Sequence, residues 1–205
     1  NNWVPRTYQM PAWKALESGK KRALLLWHRR AGKDDVCLHY AATQAMQRVG
    51  NYWHMLPEYA QARKSVWEAV NPRTGMRRID EAFPDAICET KRSQDMFIRF
   101  KNGSTWQLVG SDRYNSLVGS PPIGVTASEW ALADPSAWAY LRPILLENGG
   151  WAVFITTVRG KNHVCRMHEA HKDDPDWFVQ VLSARETEIL RCLADGLASR
   201  QIAET

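Results

Sequence analysis

The chain has 205 residues, 44% hydrophobic and 24% charged, with a net charge of +5 and a sequence pI near 9.1. That balance suits an ordinary globular chain, long enough for one domain with a full core. It leaves no apolar run near the roughly 20 residues a bilayer span needs, and it is compatible with a polyanionic partner without requiring one.

Pro11 opens a short helix that runs to about Ser18, and Gly19 ends it. Residues 22–27 read as a buried strand. Residues 33–48 carry Val36, Leu38, Ala41, Ala45 and Met46 at helical spacing, and Gly50-Asn51 closes that helix. Tyr52–Leu56 reads as a second strand and Glu58–Val70 as a second helix. The order strand, loop, helix, strand, helix predicts an α/β fold with a mainly parallel sheet. Segments 86–90, 96–101 and 105–109 alternate instead, and Asn102-Gly103 marks a hairpin, so an antiparallel insert or edge is expected there. Ile123–Ala127 and Trp151–Thr156 return to the parallel type, with a helix over about Pro135–Glu147 between them. A helix over His163–His171 and a strand over Trp177–Leu182 follow. Residues 184–194 and 199–203 read as two tail helices.

The four cysteines, Cys37, Cys88, Cys165 and Cys192, form no C-x-x-C pair. The N-terminus has no basic-then-apolar signal pattern. Reduced thiols in a cytosolic protein are expected, not a disulfide framework. The basic groups Lys20-Lys21-Arg22, Arg29-Arg30, Arg77-Arg78 and Lys91-Arg92 read equally as solvated surface or as a nucleic-acid track. Most of the ten tryptophans are expected in the core.

The segment HRRAGKDD, residues 28–35, follows the apolar run Ala23–Trp27. A phosphate-binding loop of the Walker A kind reads G-x-x-x-x-G-K-[ST]. Gly32 and Lys33 match it. Trp27 stands at the first glycine, and Asp34 at the hydroxyl residue that normally meets magnesium. A strand that runs through a glycine turn into a helix offers free N–H groups and a positive helix end to an anion. On this octamer alone, a plain turn with solvated basic residues fits as well.

A Walker B strand ends in Asp-Glu. Here the apolar run 123–127 ends in Ser128-Glu129, so Glu129 stands at the position that polarises water, and Ser128 at the metal carboxylate. Both departures concern groups that face the same Mg²⁺. An exchange of roles is expected, in which Asp34 supplies the carboxylate and Ser128 the hydroxyl. Magnesium accepts this, since it needs oxygen ligands and keeps several waters. Thr156-Thr157 end a further strand and face the ligand crevice expected at the carboxyl edge of an open sheet. His163, Cys165, His168 and His171 match no usual zinc spacing.

Taken in order, Tyr8-Gln9, HRRAGKDD, YWHMLPEYAQAR (52–63), GSDRYNSLVGSPP (110–122), SEWALADPSAW (128–138) and the segment 141–163 resemble the large terminase subunit of tailed phages, over roughly residues 5–182. The resemblance implies an ASCE-type, RecA-like P-loop ATPase domain over residues 1–182 that uses ATP and Mg²⁺ to move double-stranded DNA into a procapsid. It implies the portal protein and the small terminase subunit as partners, a ring of five copies, and the cytoplasm of an infected bacterium as the setting. By position, Tyr8 and Gln9 resemble the adenine-contacting motif. Arg29, Arg30, Ala31, Gly32, Lys33, Asp34 and Asp35 resemble the phosphate loop, with Arg29 or Arg30 approaching the γ-phosphate. Glu129 resembles the catalytic glutamate and Thr156-Thr157 the coupling motif. Arg113 is a candidate trans-acting finger, because Val118 stands where relatives often have a basic residue; Val158 replaces a frequent proline. The family's nuclease domain has no room in this chain, so no DNA cleavage is expected from it. The tail, 182–205, resembles the start of a LuxR-type helix-turn-helix; a helical linker over 183–205 is the favoured reading. An inactive P-loop assembly module and a DNA-binding regulator resting on the tail are the rival functions.

Overall fold

A computed structural model describes residues 3–112 and 119–186. The expectations for Arg113 and for the tail from residue 187 on lie outside the described residues. A short 3-10 turn, Thr7–Gln9, leads into α1 (Met10–Glu17), with Pro11 in its first turn. Then come β1 (Arg22–Trp27), α2 (Lys33–Gln47), β2 (Asn51–Leu56), α3 (Tyr59–Ala62) and α4 (Arg78–Ala82). The hairpin strands β3 (Cys88–Arg92) and β4 (Phe97–Phe100) precede β5 (Thr105–Gly110) and β6 (Pro122–Ser128). The chain continues through α5 (Ser136–Glu147), β7 (Trp151–Thr156), α6 (His163–His171) and β8 (Trp177–Leu182).

The eight strands form one sheet in the order β3-β4-β5-β2-β6-β7-β1-β8. From β5 to β8 every pairing is parallel. The mainly parallel α/β architecture expected from the sequence is the one observed. The antiparallel element sits at the edge of the sheet, but β5 is not separate from the parallel part: it pairs antiparallel with β4 and parallel with β2. The expected helix over Glu58–Val70 is also different. After α3 the chain widens into a π turn over Arg63–Trp67, which brings the consecutive Val66 and Trp67 to the core together. Trp67 then stacks on Trp106 of β5 at 6.4 Å between ring centroids.

Alternation along the strands builds two cores. Ala23, Leu25 and Trp27 of β1, with Tyr52, Val153 and Ile155, face α1, α2 and α4. Leu24 and Leu26, with Trp53, Val125, Ala127 and Phe154, face α5 and Val164 of α6. Strands buried on both faces read as continuous apolar runs, which is why β1 and β7 are legible in the sequence. Six of the ten tryptophans are buried, and the other four are partly buried against these cores. Gly124 is required by one of them, since a Cβ there would lie 2.4 Å from the Trp151 ring.

His39 of α2 is buried and stacks on Trp3 at 4.3 Å. Burial, only partly opposed by Glu81, lowers its pKa to about 4 from an ordinary 6.5. A histidine held uncharged in the fold stabilises it above pH 6.5, and that contribution is lost as pH falls towards 4. From about pH 7.5 to about pH 5 the loss from this group is roughly 2 kcal/mol. Urea unfolding at the two pH values checks this: His39→Gln should remove about that much of the pH dependence, and an unchanged slope would show that His39 does not carry it.

Candidate functional site

The carboxyl ends of β1, β7 and β6 lie side by side, because β7 is inserted between the other two. They bring residues 28–33, Thr156-Thr157 and Ser128-Glu129 together at one edge of the sheet. The loop after β1 turns through two left-handed residues, Arg30 (φ 64) and Gly32 (φ 74). Gly32 caps α2, and a Cβ there would meet the Gln9 amide nitrogen at 2.8 Å. The loop is fastened from behind. Gln9 Nε2 donates to Ala31 O at 2.8 Å, its Oε1 accepts from Arg6 N at 2.9 Å, and the Tyr8 hydroxyl donates to Ala31 O at 3.4 Å. Tyr8 and Gln9 are both buried. Here they brace the loop with the polar atoms that the resemblance assigns to adenine.

Lys33 is also buried. Its Nζ donates to Trp27 O (3.1 Å), His28 O (3.2 Å) and Thr157 Oγ1 (3.2 Å). Burial lowers its pKa, with Arg29 adding to the effect and Asp34 and Glu129 opposing it. Arg29 and Arg30 are exposed and make no hydrogen bond or ion pair among the described residues.

The two sequence departures meet. Ser128 Oγ donates to Asp34 Oδ1 at 2.7 Å. Alternation explains why: Val125 and Ala127 of β6 point to the α5 side, so Thr126 and Ser128 point towards α2. The same Asp34 oxygen lies 3.2 Å from Nε2 of His54, a wholly buried side chain of β2. Burial alone would raise the Asp34 carboxyl; His54, Ser128 and Lys33 outweigh it, and the net pKa is lowered. His54 was not singled out from the sequence. It sits in a buried strand where a core histidine looks the same, and only the pairing of β2 beside β6 brings it to Asp34. Asp35 is turned away towards Arg78, which binds it at 2.5 Å; burial and Asp34 still raise its pKa.

Glu129 has a left-handed backbone (φ 49) and starts a 3-10 turn, Trp130–Leu132. Its Oε2 is shielded from solvent and receives no hydrogen bond among the described residues; Arg159 Nη2 is 3.9 Å away. Behind it, Thr156 Oγ1 accepts from Ala131 N at 3.2 Å, so the end of β7 is bonded to the turn after Glu129. His163 holds the same turn through Trp130 O at 2.7 Å. His171 pairs with Asp174 instead, and no metal-binding group of His, Cys, Asp and Glu occurs among the described residues.

The structural neighbours are ATPase domains of phage large terminases. The ATPase domain of the Thermus phage P74-26 large terminase superposes with a TM-score of 0.69 at 20% identity, over 98% of this chain and 91% of that one. A full large terminase from a thermophilic bacteriophage gives 0.70 at 16% identity, over 98% of this chain but 49% of that one, so this chain spans about half of that protein. The same terminase in complex with ATP-gamma-S gives 0.66 at 16% identity, over 94% and 46%. At such identities the likeness is one of fold. The family model described as bacterial regulatory proteins, luxR family, matches residues 180–205. The first three of those residues are the end of β8, inside the sheet. No curated protein sequence matches the chain.

The Asp34–Ser128 contact can be measured as a coupling. In a double-mutant cycle of Asp34→Ala and Ser128→Ala, urea unfolding should give an interaction energy of about 1 kcal/mol or more, as for a hydrogen bond to a charged group. Additive effects would show that the two side chains do not meet in solution.

Proposed function

We propose that this chain is an ATP-hydrolysing motor domain of the DNA-packaging kind and that the crevice between Lys33 and Glu129 is its ATP site. The fold supports the class. The single observation that carries the site is the Ser128–Asp34 hydrogen bond, because it joins the two positions where the sequence departs from the usual pattern. Two unrelated losses would have no reason to be complementary.

In this reading the loop N–H groups, Lys33, Arg29 and Arg30 hold the phosphates. The donor set suits magnesium: a half-exposed carboxylate and a hydroxyl are hard oxygen ligands beside the phosphate loop. Asp34 and Ser128 would hold it, and when bound it supplies charge neutralisation at the β- and γ-phosphate oxygens. Glu129 takes a proton from the attacking water, and its acceptor oxygen, which receives no hydrogen bond among the described residues, suits that task. Lys33 must exchange at least part of its Trp27, His28 and Thr157 contacts for phosphate. That exchange gives Thr157 a direct means of registering the nucleotide, as a coupling residue must. The partners under this reading are double-stranded DNA, the portal protein, the small terminase subunit and other copies of the chain in a ring of five. DNA would be held through its phosphates, with strong salt dependence.

The rival reading is an assembly module that keeps the fold without turnover. The engagement of Lys33 by three protein acceptors favours it. Magnesium-dependent ATP hydrolysis, measured across protein concentrations, separates the two. Glu129→Gln should lower kcat by about 10²-fold or more while leaving nucleotide binding in place. A steep rise of specific activity with concentration would add that a neighbouring copy completes the site. Absence of both turnover and nucleotide binding at every concentration would leave the assembly module.

A further inference from the structure

Asp34 brings a carboxylate to a place where the usual loop has a hydroxyl, and its position depends on two donors. Ser128 is one. The other is His54, whose side chain is wholly buried between β2 and α2, 6.1 Å from the Trp106 ring. Both donors meet the same oxygen, Oδ1. His54 Nδ1 is buried and has no hydrogen-bond partner among the described residues. A ring with its hydrogen on Nε2 explains both ends. It donates to the carboxylate and leaves on Nδ1 only a bare acceptor, which costs less to bury than an unpaired N–H.

We propose that His54 is a positioning residue for cation binding: it fixes Asp34 Oδ1 through Nε2–H so that the second oxygen, Oδ2, is presented to a divalent cation carried with the nucleotide. This rests on the reading of the crevice as a metal–nucleotide site. The logic is that of an outer partner orienting a ligating carboxylate, where loss of the partner weakens metal binding by about 10- to 100-fold. Ser128 holds Oδ1 from one side only, which leaves the carboxylate a range of rotation about the Cβ–Cγ bond. The second donor, from a different strand, narrows that range.

The test measures binding, not turnover. Dissociation constants of a non-hydrolysable ATP analogue are determined with and without Mg²⁺, and the gain conferred by Mg²⁺ is compared among variants. His54→Leu should lose about 10-fold or more of that gain, with Mg-free binding unchanged. His54→Gln, whose amide nitrogen falls near the Nε2 position, should retain it, and His54→Asn, whose amide falls near Nδ1, should not. An undiminished gain in His54→Leu, or equal gains in Gln and Asn should the Leu variant not fold, would overturn the proposal while leaving the ATP site standing. A wild type that gains nothing from Mg²⁺ would remove the metal–nucleotide reading itself, and the role of His54 with it.

Discussion

The Asp34 carboxylate is the constraint on which the rest of the site depends. It sits in the first turn of α2, partly shielded from water, where an ionised carboxylate is costly unless donors match it. Its two donors come from two strands, Ser128 from β6 and His54 from β2, and the nearby ammonium of Lys33 adds a favourable charge. The helix end itself favours the negative charge. Two strands and the start of the helix are therefore tied together by a single ionised group. A hydroxyl at residue 34 would ask much less of its surroundings.

Sheet order turns that local requirement into an arrangement of chemistry. With β7 between β1 and β6, Thr157 reaches Lys33 from one side, and Thr156 reaches the turn after Glu129 from the other. Adjacent residues of one strand end thus touch Lys33 and the backbone beside Glu129. Opposite pointing of consecutive residues makes this possible. The left-handed Glu129 adds to it, since the chain turns sharply there into the turn Trp130–Leu132.

Much of this was readable from the residues, and the division has a physical basis. The buried parallel strands announce themselves as apolar runs of fixed length, so β1, β6 and β7 were placed to within a residue. The pairing of two complementary departures, Asp34 and Ser128, was also readable, because each was measured against a known local pattern. What depends on non-local pairing was not. Nothing in residues 105–110 says that they pair with β2 on one side and β4 on the other. Nothing in YWHML separates a core histidine from one that reaches Asp34. The π turn at Arg63–Trp67 goes with the stacking of Trp67 on Trp106, a non-local contact that no helical periodicity contains. The bracing role of Tyr8 and Gln9 likewise appears only when α1 is seated against the loop.

The electrostatics of the loop follow from the same substitution. A helix end that begins Lys-Asp-Asp offers an anion less than one that begins with a lysine and a hydroxyl residue, because the two carboxylates offset its positive potential. The structure removes one of them from the balance: Asp35 is bound to Arg78 at 2.5 Å. Asp34 accepts from the Ser128 hydroxyl and the His54 ring, with no arginine bound to it among the described residues. Under the proposed ATP reading, attraction for a polyphosphate would come from Lys33, which is engaged with its own loop, and from Arg29 and Arg30, which are free of other partners among the described residues. A divalent cation at Asp34 reverses the sign of the local charge and turns the substitution from a cost into a contact. If the loop binds phosphate as proposed, that binding should depend on a cation more strongly than in a loop with a hydroxyl at residue 34. The two exposed arginines would account for the part of the affinity that does not.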